Sequence, residues 1–193
     1  MPAIHSVAVF CGSNSGTDPA FAAGARALGR GLAASRMRLV YGGGRVGLMG
    51  AVADAVVEGG GEVLGVIPEF LAQLEVAHTG VARLVTTDSM HSRKQLMFAE
   101  ADAFVSLPGG LGTLDETIEI ITWRQLGLHD KPILLCDIAG SAAPLLGAID
   151  AAIASGFASA RSRDLFEVTD GVVPLLERLR TLPRTIAVPA DRL

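Results

Sequence analysis

Cysteine is nearly missing from this chain of 193 residues, and the two present, Cys11 and Cys136, form neither a disulfide framework nor a C-x-x-C pair. That usage suits a reducing compartment. The start of the chain also lacks the charged-then-apolar build of a signal peptide, because residues 6–11 already read as a strand. The expectation is a cytoplasmic protein. Charge is sparse too: 19% of residues are charged, and the net charge is −4. That balance argues against a nucleic-acid partner, which calls for a basic face. No apolar run approaches the roughly 18 to 20 residues of a membrane span. The four histidines, His5, His78, His91 and His129, show no ligand spacing with one another or with cysteine, so no metal is expected. Neither a G-x-x-x-x-G-K-[ST] phosphate loop nor a G-x-S-x-G nucleophile elbow occurs.

Apolar content is what the chain has in excess. Half of its residues are hydrophobic and the mean hydropathy is +0.44, which excludes intrinsic disorder. The surplus needs a sheet covered on both faces or a subunit interface. Short runs rich in Val, Ile and Leu at 7–11, 38–41, 62–67, 82–85, 103–107 and 132–136 read as strands buried on both faces. Helical patterns separate most of them. The first begins at Asp18 as cap and Pro19 in the first turn, with Phe21, Ala25, Leu28 and Leu32 on one face. Others are expected at 47–58, at 89–101 with Asp88 or Ser89 as cap, after Gly112, at 143–155 and at 172–182. The helix after Gly112 is expected to bury Leu114, Ile118 and Ile121. This alternation implies right-handed crossovers and an α/β fold, a doubly wound parallel sheet in a single domain. The domain is set at residues 1–181, with a tail at 182–193 that is either frayed or strapped onto a partner subunit.

Three strand ends are glycine-rich turns leading into helices: Cys11-Gly12-Ser13-Asn14-Ser15-Gly16, Gly42-Gly43-Gly44-Arg45-Val46-Gly47 and Pro108-Gly109-Gly110-Leu111-Gly112-Thr113. Ligands of open parallel sheets bind beyond these strand ends, and helix N-terminal amides favour anions. Three such turns on one edge, with hydroxyls from Ser13 and Thr113, point to a phosphorylated small molecule. Tight packing is the plain alternative for any single turn. The middle turn matches G-x-G-x-x-G but lies in the second βα unit, and the next strand ends in Val66-Ile67-Pro68 rather than an acid. Glu116, four residues after Gly112, falls opposite the expected apolar stripe, where it would meet the sugar of a nucleotide. Arg93 and Lys94 crowd the first turn of a helix whose dipole disfavours cations, which implies an anionic ligand or Glu116 as partner.

Tyr41-Gly42-Gly43-Gly44, Gly47-Leu48-Met49-Gly50, Ser89-Met90-His91-x-Arg93-Lys94 and Pro108-Gly109-Gly110-x-Gly112-Thr113-x-x-Glu116 together resemble the LOG (Lonely Guy) family. Its members are cytokinin riboside 5′-monophosphate phosphoribohydrolases, long described as lysine decarboxylases. The likeness runs from Val7 to about Phe166 and includes Val66-Ile67-Pro68 and Thr122-Trp123-x-Gln125-Leu126-Gly127. It implies a Rossmann-like homodimer that cleaves N6-modified AMP, with AMP itself as a further candidate, to free base and ribose 5-phosphate, without metal or organic cofactor. By the same resemblance Arg93 and Glu116 are the catalytic pair. Lys94, Gly109, Gly110, Leu111, Gly112, Thr113, Leu114, Asp115 and Thr122 are nucleotide-binding positions, and Glu75 is an acidic binding position. Ser13, Gly43 and Gly44 join them from the glycine turns. Asp115 stands where many members carry Glu. Two other readings remain: a non-catalytic nucleotide sensor on the same fold, and a nicotinamide-dependent oxidoreductase.

Overall fold

The strand-forming runs assemble into one seven-stranded parallel sheet in the order β4-β3-β2-β1-β5-β6-β7. The computed structural model describes residues 4–72, 77–78 and 80–183. The strands are β1 (Ser6–Phe10), β2 (Arg38–Tyr41), β3 (Val63–Pro68), β4 (Arg83–Thr87), β5 (Ala103–Ser106), β6 (Ile133–Asp137) and β7 (Glu167–Asp170). The helices are α1 (Pro19–Ala34), α2 (Gly47–Glu58), α3 (Glu69–Ala72), α4 (Met90–Glu100), α5 (Leu111–Gln125), α6 (Ala143–Ala154) and α7 (Val172–Thr181). A 3-10 segment, Ala160–Leu165, precedes β7.

β1 and β3 are buried along their whole length, because helices cover both faces of the sheet. One face carries α1, α2 and α7 over Val7, Val9, Leu39 and Val105. The other carries α4, α5 and α6 over Ala8, Val40, Leu64 and Phe104. Asp18 caps α1 by accepting from the Ala20 amide, with Pro19 at the first position. α1 and α2 lie so close that a Cβ at Gly29 would come within 2.4 Å of the Val52 carbonyl oxygen.

The chain winds outward from β1 to β4, then crosses to β5 and winds the other way. The switch point therefore falls between β1 and β5, where the Gly12 amide donates to the Pro108 carbonyl at 3.0 Å. Two of the three glycine turns meet there.

Two expectations need correction. Residues 167–170 form a seventh strand where only a connection was expected; it is a short edge strand with Thr169 alone buried, so it carries no apolar run. On α5 the inward face is Thr113, Glu116, Thr117, Ile120 and Ile121. Leu114 and Ile118 are 39% and 41% exposed, whereas Glu116 is 8% exposed. The apolar stripe and the core-facing stripe of this helix are different stripes. The proposed tail beyond residue 183 and Glu75 lie outside the described residues.

Candidate active site

A cleft of about 420 Å³ opens at the switch point. The strand ends β1 and β2 supply Cys11, Gly12, Ser13 and Gly42, and α4 supplies Met90 and Arg93. The α5 end contributes Gly110, Leu111, Gly112, Thr113 and Glu116. A second hollow of about 330 Å³ adjoins it, sharing Gly12, Ser13, Asn14 and Gly110 and adding Gly109. A larger cavity, about 660 Å³, lies at the opposite end of the strands. There Arg38 pairs with Glu100 at 2.7 Å and Asp102 accepts from the His5 and Ser6 amides, so these three charged groups are used internally.

Helix capping decides where an anion can sit. α4 closes its own start with a capping box between Ser89 and Ser92, the Ser89 hydroxyl accepting from the Ser92 amide. The leading amides of α2, Leu48 and Met49, both donate to the Gly12 carbonyl. Its first residue, Gly47, has a φ of +64°, and a Cβ there would strike the Ser13 backbone at 2.3 Å. α5 starts at Gly110 with no side-chain cap. The Gly110–Thr113 turn that opens it lines the cleft, and a helix N-terminus without a side-chain cap leaves amides that favour an anion.

Arg93 enters the cleft by turning away from its own helix. Its Nε donates to the Val66 carbonyl at 3.1 Å and its Nη2 to the Gly42 carbonyl at 3.2 Å, so the ends of β2 and β3 fix the guanidinium. Gly42 is required by that packing, because a Cβ there would lie 2.1 Å from Nη2. The crowding of cations at the start of α4 is resolved by these strand carbonyls for Arg93 and by Asp115 and Glu119 for Lys94. Nη1 is left 3.8 Å from Glu116 Oε1, an ion pair too long for a hydrogen bond. Burial pushes the Glu116 carboxyl up to about 7, with Arg93 opposing the shift. The neighbouring Cys11 thiol is pushed well above its ordinary value, first by burial and then by Glu116, so it stays protonated and unreactive.

The other expected site residues divide. Ser13, Gly109, Gly110, Leu111, Gly112 and Thr113 line the cleft or the adjoining hollow. Gly43 and Gly44 are buried behind it: the Gly43 carbonyl accepts from the His78 amide, and Gly44 bridges to Ala77. The His78 ring, which accepts from the Gly80 amide at Nδ1, meets Asp54 at 2.9 Å and pins this segment to α2. Leu114, Asp115 and Thr122 are exposed and do not line the cleft; the Thr122 hydroxyl donates to the Ile118 carbonyl. Lys94 does not line it either, and is bound to Asp115 and Glu119. Sequence reading passed over Met49, Leu71 and Met90, apolar side chains on the cleft wall. Met49 and Met90 stood inside the quoted family motifs, whereas Leu71 carried no signal in the sequence. Among the described residues, no group of three or more His, Cys, Asp or Glu could hold a metal. Among the same residues, no helix is long and apolar enough to cross a membrane.

Fold and site together define a Rossmann-like α/β protein whose switch-point cleft brings a buried carboxylate, a fixed guanidinium and an uncapped helix N-terminus together. The chain belongs to the LOG family of cytokinin riboside 5′-monophosphate phosphoribohydrolases. Residues 49–179 match the family described as "Possible lysine decarboxylase". The cytokinin riboside 5′-monophosphate phosphoribohydrolase of Rhodococcoides fascians is 43% identical over 93% of this chain and 91% of its own. The enzyme of that name LOG2 from Arabidopsis thaliana is 43% identical over 90% of this chain and 81% of its own. Among solved structures, a molybdenum cofactor binding protein from Rippkaea orientalis superposes with a TM-score of 0.70 at 19% identity. It covers 94% of this chain and 97% of its own, and shows the shared fold.

The decarboxylase description implies pyridoxal phosphate and a Schiff-base lysine. The two lysines do not fit that role. Lys131 is buried before β6, donating to the Phe98 carbonyl at 2.6 Å with its ammonium 4.0 Å from the Phe98 ring. Lys94 is tied to two carboxylates outside the cleft.

Proposed function

We propose that the protein hydrolyses the N-glycosidic bond of N6-modified adenosine 5′-monophosphates, and of AMP, giving free base and ribose 5-phosphate. The observation that carries this reading is a buried carboxylate 3.8 Å from a fixed guanidinium, on the wall of a cleft that ends in an uncapped helix N-terminus. The amides at Gly110–Thr113 take the 5′-phosphate, with Gly109 shaping the turn and Ser13 adding a hydroxyl. The sugar then lies against Glu116. The C1′–N9 bond breaks with its electron pair leaving on the base, and the ribosyl group becomes cationic as in glycosidases. Ionised Glu116 stabilises that charge and takes a proton from the attacking water, whose oxygen bonds to C1′; the departing base takes up a proton from solvent, and Glu116 gives its own back to solvent. Arg93 holds Glu116 and assists the base's departure.

A nicotinamide enzyme is disfavoured because two of the amides its fingerprint would offer at the start of α2, Leu48 and Met49, are already bound to Gly12. A sensor would gain nothing from a carboxylate beside a phosphate site. Incubation with N6-isopentenyladenosine 5′-monophosphate and with AMP is expected to release free base and ribose 5-phosphate. Intact nucleotide after prolonged incubation would favour the sensor.

The protein also acts as a homodimer. Leu111, Leu114, Ile118 and Leu126 form an exposed apolar stripe along α5, Leu111 being 86% exposed. A second copy covering it would border the cleft and enclose Leu114, Asp115 and Thr122. Light scattering after gel filtration is expected to give twice the 19.9 kDa of one chain. The mass of a single chain would refute the dimer. A reducing, cytoplasmic location belongs to the same proposal, and the two buried free cysteines support it.

A further inference from the structure

Lys94 follows Arg93 on α4 but serves a different side of Glu116. Its Nζ donates to Asp115 Oδ2 at 3.2 Å and to Glu119 Oε1 at 3.0 Å, the two carboxylates that flank Glu116 on α5. The Lys94 side chain is mostly buried, and Glu119 is three-quarters buried. Glu116 stands between two spaces. In front is the cleft with Arg93 and Thr113; behind is a small pocket walled by Lys94, Phe98, Phe104, Glu119 and Trp123. Lys94 lines the rear pocket and not the cleft that holds the Gly110–Thr113 turn.

We propose that Lys94 is a positioning residue for Glu116, locking α5 to α4 through Asp115 and Glu119 and balancing their charge, and that it does not bind the substrate phosphate. The charged and titratable groups around Glu116 are Arg93 and Lys94 from α4, Asp115 and Glu119 on α5, and the protonated Cys11 thiol at the end of β1. Burial opposes the Lys94 charge, but the bonds to Glu119 and Asp115 outweigh it and raise its pKa above the ordinary lysine value. Without Lys94, two uncompensated carboxylates would press on a third that is already hard to ionise.

The test is Lys94→Gln, read by carbon NMR titration of the Glu116 carboxyl, its resonance assigned by its loss in Glu116→Gln. The midpoint is expected to rise by roughly one pH unit, the scale for charges a few ångströms apart near a surface. Adding Glu119→Gln should bring it back toward the parent value. Lys94→Arg, which keeps both ion pairs, should behave as the parent and guards against a folding defect. The kinetic arm rests on the proposed hydrolysis: the acid limb of kcat/KM moves upward, while KM for the monophosphate stays within about threefold. An unmoved Glu116 midpoint overturns the proposal, as does a KM increase of about tenfold or more with loss of the preference for monophosphate over riboside, which is what a lost phosphate contact costs. The titration needs no turnover, so failure of the parent protein to hydrolyse nucleotide would count against the proposed function alone.

Discussion

Glu116→Gln is expected to lower kcat by at least about 100-fold, the usual effect of removing one preorganised electrostatic stabiliser, while nucleotide binding is largely kept. The amide preserves shape but cannot balance a ribosyl cation or accept a proton from water. Folding should survive, because burial already disfavours the charged form of this carboxyl and the neutral amide avoids that cost. The same shift sets the pH dependence. Since the ionised form is the active one and its pKa is about 7, kcat/KM should fall as pH drops below that value. In Glu116→Gln that limb should vanish, leaving only the second ionisation of the substrate phosphate near about 6. Near-parental turnover in the variant, in a steady-state assay of base release, would make Glu116 a structural residue.

Much of the fold was legible because its signals are local. Residues 47–58 stop at three glycines and form α2 with those bounds, and β2 falls on 38–41 as expected. Buried parallel strands advertise themselves as unbroken Val, Ile and Leu runs, and β7, with Glu167 and Asp170 at its ends, does not. The inward face of α5 was misread for a deeper reason. Apolar spacing marks the stripe that avoids water, and on this helix that stripe remains outside in a single chain, while Glu116 and Thr117 turn inward. The cleft requires a desolvated carboxylate, and no rule of helical periodicity places one in the interior. The pairing of Arg93 with Glu116 was visible as a charge conflict in the first turn of α4. The attachment of Lys94 to Asp115 and Glu119 was not, because it depends on how the successive helices α4 and α5 are set against each other across β5.

The second large effect concerns the 5′-phosphate, on which the substrate class depends. α4 is capped by its own serines and the Leu48 and Met49 amides of α2 are bound to Gly12, whereas the start of α5 has no side-chain cap and is where the proposed function puts the phosphate. Hydrogen bonds to a charged group contribute about 1.5–3 kcal/mol each, and losing even two costs roughly 3 kcal/mol or about 100-fold in kcat/KM. Part of that loss should appear in kcat, because phosphate binding holds the sugar against Glu116. The deciding measurement is the kcat/KM for base release from N6-isopentenyladenosine beside that of its 5′-monophosphate. A preference of at least about 100-fold for the monophosphate is expected; equal values would contradict the account, making the protein a nucleoside hydrolase whose glycine turns serve only packing.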